Sequence, residues 1–204
     1  MNLQTSISIQ AGNLECQDRA EILRCGDRVL LAVADGAGGI AGGGEAADLT
    51  MRLVRESAES LKTTNDCRRL LEEIDMQLAR NKPCGETTAV VLVVHATGVF
   101  GASVGDSIVW MFSPHGRVEL TKGQQRKPFL GCGSAFVVAF SQPAKEGTII
   151  LATDGLWKYT SLESIEQRVR NVAIEQLAAD LPNLVRLRSG AFPDDVAIIA
   201  CRLG

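Results

Sequence analysis

Four places in this chain set an aspartate against the end of an apolar run, and this pattern constrains the fold most tightly. VLLAVA (Val29–Ala34) stops at Asp35, and TIILAT (Thr148–Thr153) stops at Asp154. VAIIAC (Val196–Cys201) starts after Asp194-Asp195, and Asp106 stands between Val99–Val104 and Ile108–Phe112. Continuous apolar, β-branched runs of this length read as strands buried on both faces. Each would deliver its carboxylate to the rim of a core. A single aspartate there is ordinary turn chemistry. Several that converge repel one another unless a cation sits among them. With no His or Cys alongside, such a cluster is a set of hard oxygen donors, suited to Mg²⁺ or Mn²⁺ rather than zinc.

The stretch after Asp35 reinforces this reading. Glycines at 36, 38, 39, 42, 43 and 44 allow a sharp turn and the close approach of a peptide carbonyl to whatever Asp35 holds. A plain hairpin turn or a flexible connection is the simpler alternative. The rest of the chain has recognisable periods. Leu3–Ile9 and Ala20–Leu23 read as strands, with Asp18 in the turn between them, and Gly26-Asp27 as a hairpin turn into the strand ending at Asp35. Glu45–Leu61 has helical spacing, and Asp66 is placed to cap a second helix running to about Arg80. Strands follow at Thr88–Val94, Val99–Val104, Ile108–Phe112, Arg117–Leu120, Ala135–Phe140 and Thr148–Thr153. Gly105-Asp106 is expected to turn a tight hairpin between the second and third of these. Helices at Leu162–Arg168 and Val172–Leu181 precede the last strand, Val196–Cys201. One domain over residues 1–204 is expected.

Bulk properties narrow the function classes. The net charge of −3 gives no global signal for nucleic acid or an anionic membrane. No apolar run approaches the ~20 residues of a membrane span, and MNLQTSISIQ has no signal-peptide pattern. The six cysteines are scattered with no C-x-x-C pair, so reduced thiols in a cytoplasmic protein are expected, not a zinc site or disulfide framework. His95 ends an apolar strand and His115 lies in a turn; both read as structural or surface residues.

The ordered set CQDR, VADGAGG, GETTAVV, ASVGDS, ATDGLW and PDDVAII resembles the metal-dependent Ser/Thr protein phosphatases of type 2C, the PPM family. The match spans about residues 10 to 202, nearly the whole chain. The resemblance implies an α+β fold, a four-layer α-β-β-α sandwich of two antiparallel sheets flanked by helices. It implies two Mg²⁺ or Mn²⁺ ions bridged by Asp35, with the Gly36 carbonyl on one of them. Asp154 and Asp194 would hold the first metal, and Asp18 would reach the second through water. Asp106 matches a position associated with a third, weaker metal. The implied chemistry is hydrolysis of phosphoserine or phosphothreonine on a protein by a metal-activated bridging water, without a covalent enzyme intermediate. No cysteine here has an arginine six positions on, so the cysteine-phosphatase loop is absent.

Three features depart from that family's pattern. Asn13 stands where many members carry a phosphate-gripping arginine, and Ala37 where some carry a histidine proposed as general acid. The segment Glu119–Phe136 is short where longer relatives have a flap. It carries Lys122, Arg126 and Lys127, which read either as a solvated loop or as a receiver of a phosphorylated partner, with Arg126 and Lys127 as the substrate-binding candidates. Arg19 and Arg188 are further candidates. The short form resembles small bacterial regulators that dephosphorylate a signalling protein or oppose a Ser/Thr kinase. A module that keeps the fold and only binds a phosphorylated partner is the main rival. A nucleotide site on the glycine run fares worse, since DGAGGIAGGG lacks a phosphate-loop lysine and does not match a dinucleotide fingerprint.

Overall fold

The apolar runs pair as antiparallel ladders, and their two faces fill different cores. The computed structural model describes residues 3–12, 14–37, 42–81, 85–143 and 146–204. Asn13, Gly38, Gly39 and Cys84 therefore lie outside the described residues. The strands are β1 (Gln4–Gln10), β2 (Asp18–Cys25), β3 (Arg28–Asp35), β4 (Ala89–His95), β5 (Gly98–Val104), β6 (Ile108–Ser113), β7 (Gly116–Glu119), β8 (Val138–Pro143), β9 (Gly147–Ala152) and β10 (Val196–Leu203). They form two five-stranded sheets, ordered β1-β10-β9-β6-β7 and β2-β3-β4-β5-β8. Helices α1 (Gly43–Ser57) and α2 (Thr64–Arg80) cover the second sheet, and α3 (Asp154–Trp157), α4 (Leu162–Asn171) and α5 (Ile174–Asp180) cover the first. This is the expected four-layer α-β-β-α sandwich.

The period-2 alternation of the strands explains the layering. On β3, Leu30, Ala32 and Ala34 pack under α1 and α2, while Val29, Leu31 and Val33 point between the sheets. On β10, Ile199, Cys201 and Leu203 meet them there, and Val196, Ile198 and Ala200 face the α4–α5 side with Ile165, Leu177 and Leu181. Strands covered on both sides must be apolar at every position, which is why these runs carry no alternation in the sequence. At roughly 1.5–3 kcal/mol per fully buried Val, Leu or Ile, these layers dominate the favourable side of folding.

The antiparallel order also fixes where the aspartates go. One strand's end lies beside its neighbour's start. Asp35 at the end of β3 is the register partner of Asp18 at the start of β2. Asp154 follows β9 and Asp194 precedes β10, which pair antiparallel.

Several expectations need correction. Asp18 opens strand β2 and does not sit in a turn, because its backbone joins the ladder to β3. Gly105-Asp106 does not turn a hairpin: β5 pairs with β4 and β8, whereas β6 pairs with β7 and β9 in the other sheet. The segment is a crossover between layers, and Gly105, at φ +90°, takes a corner that side-chain-bearing residues rarely adopt. Thr63, not Asp66, caps α2; Asp66 is the N3 partner of a reciprocal capping box. Strand β8 starts at Val138, three residues after the expected Ala135, because the preceding backbone bonds to a buried aspartate described below.

Candidate metal centre

Strand ends from both sheets meet at one rim and line a cleft of about 880 Å³. Asp35, Asp106, Asp154 and Asp194 all line it, as do Gly36, Asp195 and Thr88. Asp35, Asp106 and Asp154 each bring a carboxylate oxygen within 4.8 Å of the other two. Asp18 lies behind them, buried, with Oδ2 accepting the Thr153 hydroxyl hydrogen bond at 2.6 Å. The structure thus gathers the aspartates that the sequence singles out, with Asp18 as the deepest.

Backbone contacts hold these groups in place. The Asp35 carbonyl accepts from Thr88 N at 2.8 Å and from the Thr87 hydroxyl at 2.9 Å. Gly36 N donates to the Gln17 carbonyl at 3.3 Å, tying the start of β2 to the end of β3. A Cβ at Gly36 would stand 2.4 Å from the Gly43 carbonyl oxygen, so only glycine lets α1 begin this close to Asp35. A Cβ at Gly155 would meet the Asp195 carbonyl oxygen at 1.9 Å, so the Asp-Gly pair lets β9 and β10 deliver Asp154 and Asp194 side by side.

Crowding of like charge in a partly dry site has the expected electrostatic result. Burial pushes the Asp35 carboxyl up to about 9, and the neighbouring aspartates push it the same way. Burial pushes Asp18 up to about 7 against the lowering effect of the Thr153 bond, with Asp195 and Asp154 adding to the rise. Asp106 and Asp194 are also raised, first by burial and then by the Asp154 charge. Without a cation these carboxylates resist ionisation.

Some residues have roles here that the sequence reading did not give them. Asp195 accepts from Gly12 N at 2.8 Å and Gln17 N at 2.7 Å, fixing the segment that leads into Asp18. Its adjacency to Asp194 was visible; its role as a backbone acceptor was not. Asp75, on the buried stripe of α2, accepts from Gly131 N, Gly133 N and Ala135 N at 2.8, 3.0 and 2.9 Å. It anchors the segment that carries Arg126, Lys127 and Phe129 along the cleft wall. Lys158 reaches Asp154 and lies 4.0 Å from Asp106.

The cationic candidates separate. Arg126 and Lys127 line the cleft; Arg126 Nε bonds Asp106 Oδ2 at 3.0 Å, and the Lys127 ammonium lies 5.3 Å from the Phe129 ring centroid. Lys122 faces a neighbouring depression with Glu119 and Gln124. Arg19 is committed to Asp48 on α1 through two bonds, at 2.6 and 3.1 Å, and does not line the cleft. Arg188 is exposed and lies off the cleft as well.

The family model for Stage II sporulation protein E (SpoIIE) matches residues 26–204. The chain belongs to the SpoIIE family. This SpoIIE-family chain is similar in structure to the serine/threonine phosphatase Stp1 from Staphylococcus aureus, with 20% identity, a TM-score of 0.87, and 100% of this chain and 96% of that one covered. It is also similar to the catalytic domain of the serine/threonine protein phosphatase PstP in complex with two manganese ions, at 18% identity, TM-score 0.81 and 99% of both chains. RsbX in complex with magnesium matches at 19% identity, TM-score 0.78, over 99% of this chain and 96% of that one. At these identities the likeness establishes the PP2C-type fold. No match is found among curated protein sequences.

Proposed function

We propose that residues 1–204 form one metal-dependent phosphatase domain that removes phosphate from phosphoserine or phosphothreonine on a protein. The observation that carries this reading is that Asp35 and Asp154 bring carboxylate oxygens within 4.8 Å of each other, with Asp194 lining the same open cleft. Such a set is unfavourable alone and favourable around divalent ions, and its all-oxygen donors suit Mg²⁺ or Mn²⁺. The solved relatives with manganese and with magnesium support that choice.

Asp35, Asp154 and Asp194, with the Gly36 carbonyl, would hold two such ions, and Asp18 would act on them through water. When bound, a pair of divalent ions supplies a hydroxide near neutral pH and neutralises charge on the phosphoryl oxygens. The chain's own residues do the rest. Thr153 orients Asp18, and Asp195 holds the Gly12 and Gln17 backbone beside it. Arg126 engages Asp106 through Nε, leaving its two terminal nitrogens for a phosphoryl group; this offers a replacement for the arginine absent at position 13. Lys127 adds a second cation on the same wall. No side chain at Ala37 can donate a proton to the leaving alkoxide, so solvent in the open cleft takes that part. The substrate is a phosphorylated signalling protein or kinase in the cytoplasm. No helix among the described residues is long and apolar enough to cross a membrane.

Phosphate release from a phosphothreonine peptide tests this reading. Turnover should require Mn²⁺ or Mg²⁺, stop with EDTA, and fall by about 100-fold or more in Asp154→Asn, the loss expected when charge stabilisation worth several kcal/mol goes. Turnover that persists in EDTA would refute it.

A further inference from the structure

Two cationic side chains from different segments converge on Asp106. Arg126 Nε lies 3.0 Å from Asp106 Oδ2. The Lys158 ammonium lies 4.0 Å from the same oxygen while bonding Asp154 Oδ2. It is therefore within reach of one oxygen of each carboxylate, as a cation shared by the two would be.

The placement of Lys158 follows from the backbone. Asp154 opens the short helix α3 and Lys158 closes it, donating its N–H to the Asp154 carbonyl at 3.0 Å. The two side chains are thus one helical turn apart and share a face. Trp157 Nε1 donates to the Asp106 carbonyl at 3.1 Å, fastening the same turn to the crossover that carries Asp106. The Lys158 side chain is 28% exposed and that of Asp106 11%, so the pair is sheltered from solvent screening.

From this arrangement we infer that Lys158, with Arg126 beside it, supplies the positive charge at Asp106, so that the centre holds two divalent ions and admits no third. The inference rests on the metal-centre reading above. A divalent ion bridging Asp106 and Asp154 would meet an ammonium at contact distance, and like charges there repel strongly. The third, weaker ion that the family resemblance implies at Asp106 is replaced by a charge the chain carries itself. Asp154 keeps its other oxygen for one of the two ions. The phosphatase then needs less free metal to reach its working state than a three-ion site would.

Counting bound Mn²⁺ by equilibrium dialysis and metal analysis, without substrate, tests this directly. The full chain should bind two ions at saturation. Lys158→Gln, which keeps length and removes charge, should gain a third ion with at least about tenfold weaker affinity. Lys158→Arg should stay at two, and adding Asp106→Asn to Lys158→Gln should abolish the gain. Circular dichroism checks that each variant is folded, and Lys158→Ala repeats the measurement if Lys158→Gln is not. Three ions in the unmodified chain, or no gain in the folded neutral variants, overturns the inference and leaves the metal centre standing. No manganese on any variant removes the metal centre itself and the inference with it.

Discussion

Asp18 and Asp35 face each other across the β2–β3 ladder, a placement in which two negative charges destabilise a sheet. Both carboxyls are driven upward by burial, to about 7 and about 9, from an ordinary value near 3.8. A carboxyl whose folded value exceeds its unfolded one binds more protons when folded, so the fold loses stability as pH rises through that interval. The metal-free protein in EDTA should therefore melt at progressively lower temperature between about pH 5 and pH 9, and Asp35→Asn should flatten the slope. Melting curves followed by circular dichroism read both effects, and a slope of opposite sign would contradict the assignment. At this scale the sequence is most legible where an aspartate abuts an unbroken apolar run, as at Asp35, Asp154 and Asp194. It is less legible at Asp18, whose strand, DRAEILRC, mixes charge with aliphatic residues because it lies at the edge of its sheet. Lys158 was hidden for another reason: its spacing from Asp154 matters only once Asp154 is known to start a helical turn.

Helix α2 does more than cover a sheet. Its buried stripe runs through Leu71, Ile74 and Leu78, and Asp75 stands among them. A carboxylate in that position is costly unless satisfied, and three N–H groups from the Gly131–Ala135 segment satisfy it. Asp75→Ala would leave those donors bare and should destabilise the fold by about 3 kcal/mol, read from denaturant midpoints. If the segment positions Arg126 and Lys127 for substrate, the same variant should raise KM for a phosphopeptide more than it lowers kcat. The elements themselves were largely visible from periodicity, with shifted ends. The crossover at Gly105-Asp106-Ser107 was not, since Gly-Asp between two apolar runs carries the same local signal whether the chain folds back or changes sheet. The choice is made at long range, where the Ser107 hydroxyl meets Thr88 Oγ1 at 2.8 Å and β6 finds β9.

Across the whole molecule, the two sheets meet through interdigitated aliphatic side chains, and among the described residues the ladders between strands stay within each sheet. Ligand binding to the folded state adds stability by mass action. Mn²⁺ at about 100 times its dissociation constant should contribute about 2.7 kcal/mol, raising the melting temperature by roughly 5–10 °C for a chain of this size. A melting temperature unmoved by Mn²⁺ and Mg²⁺ would argue against the centre. That the strands are covered on both faces follows from their unbroken apolar runs, whereas the four-layer sandwich is what the family resemblance implies. Which carboxylates share an ion does not follow, because it depends on how two sheets register against each other.

That registration has a mechanical consequence. Asp18 and Asp35 ride on one sheet, Asp154 and Asp194 on the other, and Asp106 on the strap that spans them. The rim is therefore the jaw of a caliper whose arms are the sheets. The spacing of the carboxylates is therefore set by how the arms are held together, and the Thr153–Asp18 and Gln17–Asp195 hydrogen bonds clasp them at the jaw itself.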